Sequence, residues 1–99
     1  MNRRVVVTGM SGVTAFGNDW QSVEPKLRDC QNATQYMPSY EQYDGLNTKL
    51  AAPILDFELP KHYKRKQVRG MGRVSKLATV ATENALSQAG LIGNDVLTN

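Results

Sequence analysis

Apolar positions along the chain follow two different periods. Residues 4–8, Arg-Val-Val-Val-Thr, have a continuous β-branched character from Val5 to Thr8. That pattern predicts a strand covered on both faces, as in a parallel sheet packed between helices. Trp20, Val23, Leu27 and Cys30 instead recur at helical spacing, predicting a helix over about 19–29 with Cys30 on its apolar face. Asn18 or Asp19 offers its N-cap, and Asn18 would pair with Gln21 in a capping box. Pro25 removes a hydrogen bond and crowds the preceding turn, so the helix is expected to kink there rather than to start at 24–25. From Arg73, an apolar stripe of Val74, Leu77, Ala78, Ala81, Ala85 and Ala89 ends at Gly90, a second helix with a glycine C-cap. Its alanines let a neighbouring backbone approach, which marks an inner helix.

Between these elements the pattern weakens. Residues 31–49 are rich in Gln, Asn, Ser and Tyr and carry Pro38 and Asp44-Gly45, so they read as a long irregular connection. The run 51–57, Ala-Ala-Pro-Ile-Leu-Asp-Phe, reads as a short strand that Pro53 confines to a sheet edge. Pro60 suits the first turn of a helical segment, which Gly70 and Gly72 interrupt.

Composition adds a class and a partner. The 99 residues are 40% hydrophobic and 21% charged, ordinary for one small globular domain. No apolar stretch approaches the roughly 20 residues of a membrane span, and no signal-type block opens the chain, so the cytoplasm is the expected compartment. The single Cys30 fits a reducing compartment. Seven of the twelve Lys and Arg residues (Lys61, Lys64, Arg65, Lys66, Arg69, Arg73 and Lys76) share a window that holds none of the nine acids. On one continuous helix Lys61, Arg65 and Arg69 would form a cationic stripe. Such a patch speaks of partners and association rates, and an acidic protein or a nucleic acid would each answer it.

Candidate chemistry is sparse. In the glycine-bearing stretch after the first strand, Ser11 stands where a dinucleotide fingerprint needs its second glycine. Gly12 and Gly17 have the spacing of a phosphate loop, but Asn18-Asp19 replaces the Lys-Ser/Thr that holds phosphate and magnesium. The glycines are therefore read as turn formers. Cys30 reads as a buried, inert thiol and His62, flanked by lysines, as a solvated side chain. One Cys and one His make no zinc site. Tyr63 is the one aromatic among the cations available for base stacking, and no DNA-binding signature is present.

Taken in order, "RRVVVTGMSGVTAFGNDW", "APILDF" and "KRKQVRGMGRVSKLATVATENALSQAGL" together resemble the amino-terminal portion of a β-ketoacyl-acyl-carrier-protein synthase of the type II elongating class. The resemblance implies an α/β fold, an incomplete amino-terminal part of a thiolase-like layered fold, with residues 1–99 a segment of a longer ketosynthase domain. It implies a structural role for the glycine turn. It also implies an acyltransferase that condenses an acyl chain with a malonyl group on the acidic acyl carrier protein, with loss of carbon dioxide. The family's catalytic cysteine and histidines match no position here, so no catalytic, metal or cofactor residue is expected in this chain.

What carries over is a carrier-protein-binding surface of Arg65, Lys66 and Arg69. Gly70 departs from a position often basic in relatives, and Gly72 from an aspartate. The family implies a homodimer or heterodimer for the parent. Two rivals stay open: a segment of a non-catalytic partner subunit that sets chain length, and a small basic nucleic-acid-binding module. With so few strands, the isolated chain is expected to fold poorly, or to order only by self-association or with a missing portion.

Overall fold

The computed structural model describes residues 2–95. Thr14–Phe57 forms one compact unit, and the described residues on either side of it form the other.

The 14–57 unit starts with a tight turn in which Thr14 and Gly17 exchange backbone hydrogen bonds of 3.0 and 3.1 Å, closed by Gly17 at φ 139°. Helix α1 follows, Trp20–Arg28. Its cap is Asp19, whose Oδ1 accepts from the Ser22 N–H at 2.7 Å; Asn18 is not the cap. The helix runs through Pro25 instead of starting at it. An Arg28–Glu24 pair of 2.7 Å spans one turn, and Lys26 and Arg28 stand in the last turn, where cations suit the helix dipole.

The helix stops at Arg28, so Cys30 lies past its end. Cys30 is exposed, with a left-handed φ of 57°, which corrects its expected place on a buried face. Its N–H donates to the Leu27 carbonyl and that of Gln31 to the Lys26 carbonyl, the paired bonds of a Schellman end.

The rest of this unit is a two-stranded antiparallel ladder, β1 Gln35–Tyr36 and β2 Leu50–Ala51, in register Gln35↔Ala51 and Tyr36↔Leu50. A 3₁₀ turn, Pro38–Gln42, lies between them. Glu41 ties it down, accepting from the Tyr36 hydroxyl and from Lys49 Nζ at 3.0 Å. The expected irregular connection thus holds a short ladder. The expected strand over 51–57 shrinks to its first residue, because Pro53 has no N–H to continue the pairing.

In the other unit, residues 4–8 join no ladder among the described residues. Val5 is 95% exposed, Val6 63% and Val7 82%, against the expectation of a strand covered on both faces. A strand exists through its neighbours, and the β-branched run finds none here. It is anchored further on: the Met10 N–H donates to Gln88 Oε1 at 2.7 Å. The partner of that bond sits on α3, Arg73–Ala89, where sequence periodicity placed a helix. Val80 on α3 is the one buried hydrophobic residue among those described, at 5% exposure. Gly90, at φ 73°, closes α3, with Leu91 N–H on the Leu86 carbonyl and Gly90 N–H on that of Ser87.

The basic segment is less helical than its composition suggested. The chain turns at Pro60, with the Tyr63 N–H on its carbonyl at 3.1 Å, and only Arg65–Val68 forms α2. Lys61 lies outside that turn of helix, so the expected stripe of Lys61, Arg65 and Arg69 does not form.

Candidate functional site

Three exposed cations gather on α2 and its C-cap. Arg65 and Lys66 stand on the helix and Arg69 is its C-cap residue; all three are exposed. The ion pairs Arg28–Glu24, Lys49–Glu41 and His62–Glu83 leave them out. At the start of the turn the Lys64 N–H donates to Gln67 Oε1 at 3.0 Å. Gly70 and Gly72 follow, with nothing within 4 Å of where a Cβ would stand on either.

Sequence reasoning missed what holds this segment. His62 is exposed, as its reading as a solvated side chain expected, but its Nε2 lies 2.6 Å from Glu83 Oε1 on α3. Its ring meets Tyr63 edge-on, with centroids 4.7 Å apart. The Tyr63 hydroxyl is buried beside the Glu83 carboxylate and closes no well-aligned hydrogen bond among the described residues. Burial first, then Glu83, pushes the Tyr63 pKa up to about 12. Contact with Tyr63 first, and with His62 next, holds the Glu83 carboxyl below its ordinary value despite partial burial. No local pattern announces a partner 21 positions along the chain from His62; the one available signal was Glu83 as the single acid of α3.

Between α2 and α3 lies an open groove of about 630 Å³, lined in part by Tyr63, Val68, Met71, Thr79 and Leu86. Met71 Sδ stands 3.9 Å from Thr79 Oγ1, whose proton goes to the Ser75 carbonyl at 2.7 Å.

Other candidate chemistry stays apart from this surface. Cys30 sits at the C-terminal end of α1, whereas activated cysteines are placed at helix N-termini or beside cations. No cluster of three His, Cys, Asp or Glu suited to a metal occurs among the described residues. No helix among them is long and apolar enough to cross a membrane. The glycine turn makes a close backbone approach instead of an anion cradle: a Cβ on Gly9 would fall 2.3 Å from the Ala85 carbonyl oxygen.

The chain is similar along its length to known proteins of one family. The family model described as "Beta-ketoacyl synthase, N-terminal domain" matches residues 2–99. Nodulation protein E of Rhizobium meliloti (strain 1021) is 38% identical over 96 residues, covering 96% of this chain and 23% of that protein. The 3-oxoacyl-[acyl-carrier-protein] synthase 2 of Staphylococcus aureus (strain N315) is 29% identical over 99 residues, covering 95% of this chain and 22% of that protein. A crystal structure of a β-ketoacyl synthase from Burkholderia phymatum STM815 superposes with a TM-score of 0.87 at 43% identity, over 98% of this chain and 24% of that one. The chain therefore spans 22% to 24% of the length of these proteins. The few helices and strands described above are an α/β portion of the thiolase-like fold of that crystal structure. Matched by a family model from residue 2 to residue 99 and by a solved relative of the same fold, the chain belongs to the β-ketoacyl synthase family, within its amino-terminal domain.

Proposed function

We propose that the chain is the amino-terminal segment of a longer, carrier-protein-dependent β-ketoacyl synthase, and that Arg65, Lys66 and Arg69 receive the acidic acyl carrier protein. The parent, dimeric and cytoplasmic, loads an acyl group onto its own cysteine as a thioester. Loss of carbon dioxide from malonyl-carrier then leaves a carbanion equivalent that attacks this thioester. The new carbon–carbon bond forms as the cysteine thiolate leaves. The segment is silent in that chemistry, since its one cysteine ends a helix on an exposed left-handed residue.

The observation that carries the docking reading is the presentation of three exposed cations on one helical turn and its cap, with no acid from 61 to 76. Charge pairs at a rim steer encounter and fix orientation more than they add affinity, and their effect fades as salt screens them beyond about 8–10 Å. The nucleic-acid alternative loses support because Tyr63 is engaged by His62 and its hydroxyl is buried.

The test is charge reversal of Lys66 and Arg69 together to Glu in the full-length enzyme, with capture of acyl carrier protein measured across a salt series. Capture is expected to fall at low salt and to approach the parent's at high salt. Undiminished capture at low salt refutes the docking reading.

A further inference from the structure

We propose that Glu83 is a positioning residue for carrier-protein capture: by holding His62 and Tyr63 at the entry to α2, it sets how Arg65, Lys66 and Arg69 are presented. The inference rests on the docking reading above and names the element that orients the surface.

Helix α2 is four residues long. Isolated helices below about 12–15 residues are marginal in water, because nucleation fixes several dihedrals for a single hydrogen bond. Its N-cap is Lys64, a side chain with donors only, so it cannot accept from the first-turn N–H groups. Beyond its C-cap come Gly70 and Gly72, both in open space. The groove between α2 and α3 means that close packing does not fix the turn either. Its direction depends on attachments at its two ends. At the far end the link is a soft Met71–Thr79 contact of 3.9 Å. At the near end it is polar and directional: His62 Nε2 on Glu83 Oε1 at 2.6 Å, with the Tyr63 ring set edge-on against His62. Glu83 stands one turn from Val80, the buried point of the 17-residue α3, so the latch is fastened where that helix is best held.

Charge gives the inference a sign. Glu83 places a negative charge beside a surface meant for an acidic partner. If charge alone mattered, removing it would tighten capture. If the latch matters, removing it loosens the surface and weakens capture.

The experiment uses the full-length enzyme with acyl-loaded carrier protein as the probe, comparing Glu83→Gln, Glu83→Asp and the Lys66→Glu/Arg69→Glu double variant. Glu83→Gln is expected to raise KM for the carrier-borne substrate about three- to fivefold, with kcat at saturation unchanged. Glu83→Asp, which keeps the carboxylate, recovers at least part of that loss. An unchanged or lowered KM in Glu83→Gln, with the double variant impaired, overturns the inference and leaves the docking reading standing. An unimpaired double variant overturns both. Should Glu83→Gln not accumulate as folded protein, His62→Phe keeps a ring against Tyr63 and removes the nitrogen that faces Glu83. A raised KM there supports the latch, and an unchanged one refutes it.

Discussion

Gly9 and Ala85 meet backbone to backbone: a Cβ on Gly9 would lie 2.3 Å from the Ala85 carbonyl oxygen and 3.0 Å from the Ala89 Cβ. The glycine is thus required by proximity to α3. Neither the helix carbonyl nor the alanine methyl can swing aside, so Gly9→Ala forces the segment off the helix and strains the Met10–Gln88 bond beside it. Overpacking of this kind costs about 1–3 kcal/mol. Gly9→Ala in the full-length protein should lower Tm by several degrees, and an unchanged Tm would mean that this approach is loose in solution.

Gly70 stands next to Arg69, has open space around it, and needs no left-handed backbone. Gly70→Lys should therefore be accommodated without strain and extend the cationic surface. One exposed charge pair contributes about 0.2–1 kcal/mol, so capture of acyl carrier protein should improve about twofold at low salt and revert at high salt. Capture weakened at both salts would place the carrier elsewhere.

Helices α1 and α3 end in the same pair of backbone bonds, but one left-handed position is Cys30 and the other Gly90. An L side chain in that conformation costs about 1–2 kcal/mol, part of which glycine returns through a more disordered unfolded chain. Cys30→Gly should raise stability by up to about 1 kcal/mol, and Gly90→Cys should lower it by a similar amount. Equal and opposite Tm shifts are the expected reading; a fall in both would show that the Cys30 side chain has a contact worth keeping.

What could be read from the sequence divides by range. Helix α3 was legible almost to the residue, since its stripe and its Gly90 cap are local signals. So was most of α1, but Cys30, at the right spacing for its apolar face, belongs to the cap. Spacing carries no mark of where a helix stops when the left-handed residue is not a glycine. The run Val5–Val6–Val7 announced a buried strand, yet burial is a property of neighbours, and all three valines are exposed here. Arg65, Lys66 and Arg69 were legible as a charge cluster, but their tether to α3 through His62 and Glu83 was not. That pair is joined by the path of the chain, which no local period encodes.

The Tyr63–Glu83 relationship predicts opposite behaviour at the two ends of the pH scale. Burial and Glu83 raise the Tyr63 pKa to about 12, so its contribution to stability is whole below about pH 10, its unfolded value, and is lost as pH rises through 12. Glu83 is shifted down; its contribution is present above about pH 4.3, its unfolded value, and is lost as pH falls through the lower folded one. Titration of Tyr ring carbon-13 signals, assigned with Tyr63→Phe, should show Tyr63 still protonated after ordinary tyrosines have ionised. In Glu83→Gln its pKa should fall part of the way toward 10, since burial is the larger cause. A Tyr63 that ionises near pH 10 in the parent would contradict the buried placement of its hydroxyl.

The isolated 99-residue chain should lack a cooperative, monomeric unfolding transition. Among the described residues only Val80 is buried, while Val5, Val6, Val7, Trp20, Leu55 and Val74 are all exposed. A buried aliphatic side chain contributes about 1.5–3 kcal/mol, whereas ordering each residue's backbone costs about 1–2 kcal/mol, so burial this sparse cannot offset the ordering. The β-branched run 5–7 also joins no ladder among the described residues, which makes it a template for another strand. In the full-length enzyme the amides of 5–7 should be strongly protected from hydrogen exchange, and in the isolated chain they should exchange within the dead time or become protected only on self-association. A sharp, concentration-independent melt of a monomer, with those amides protected, would show that the segment is complete in its own packing.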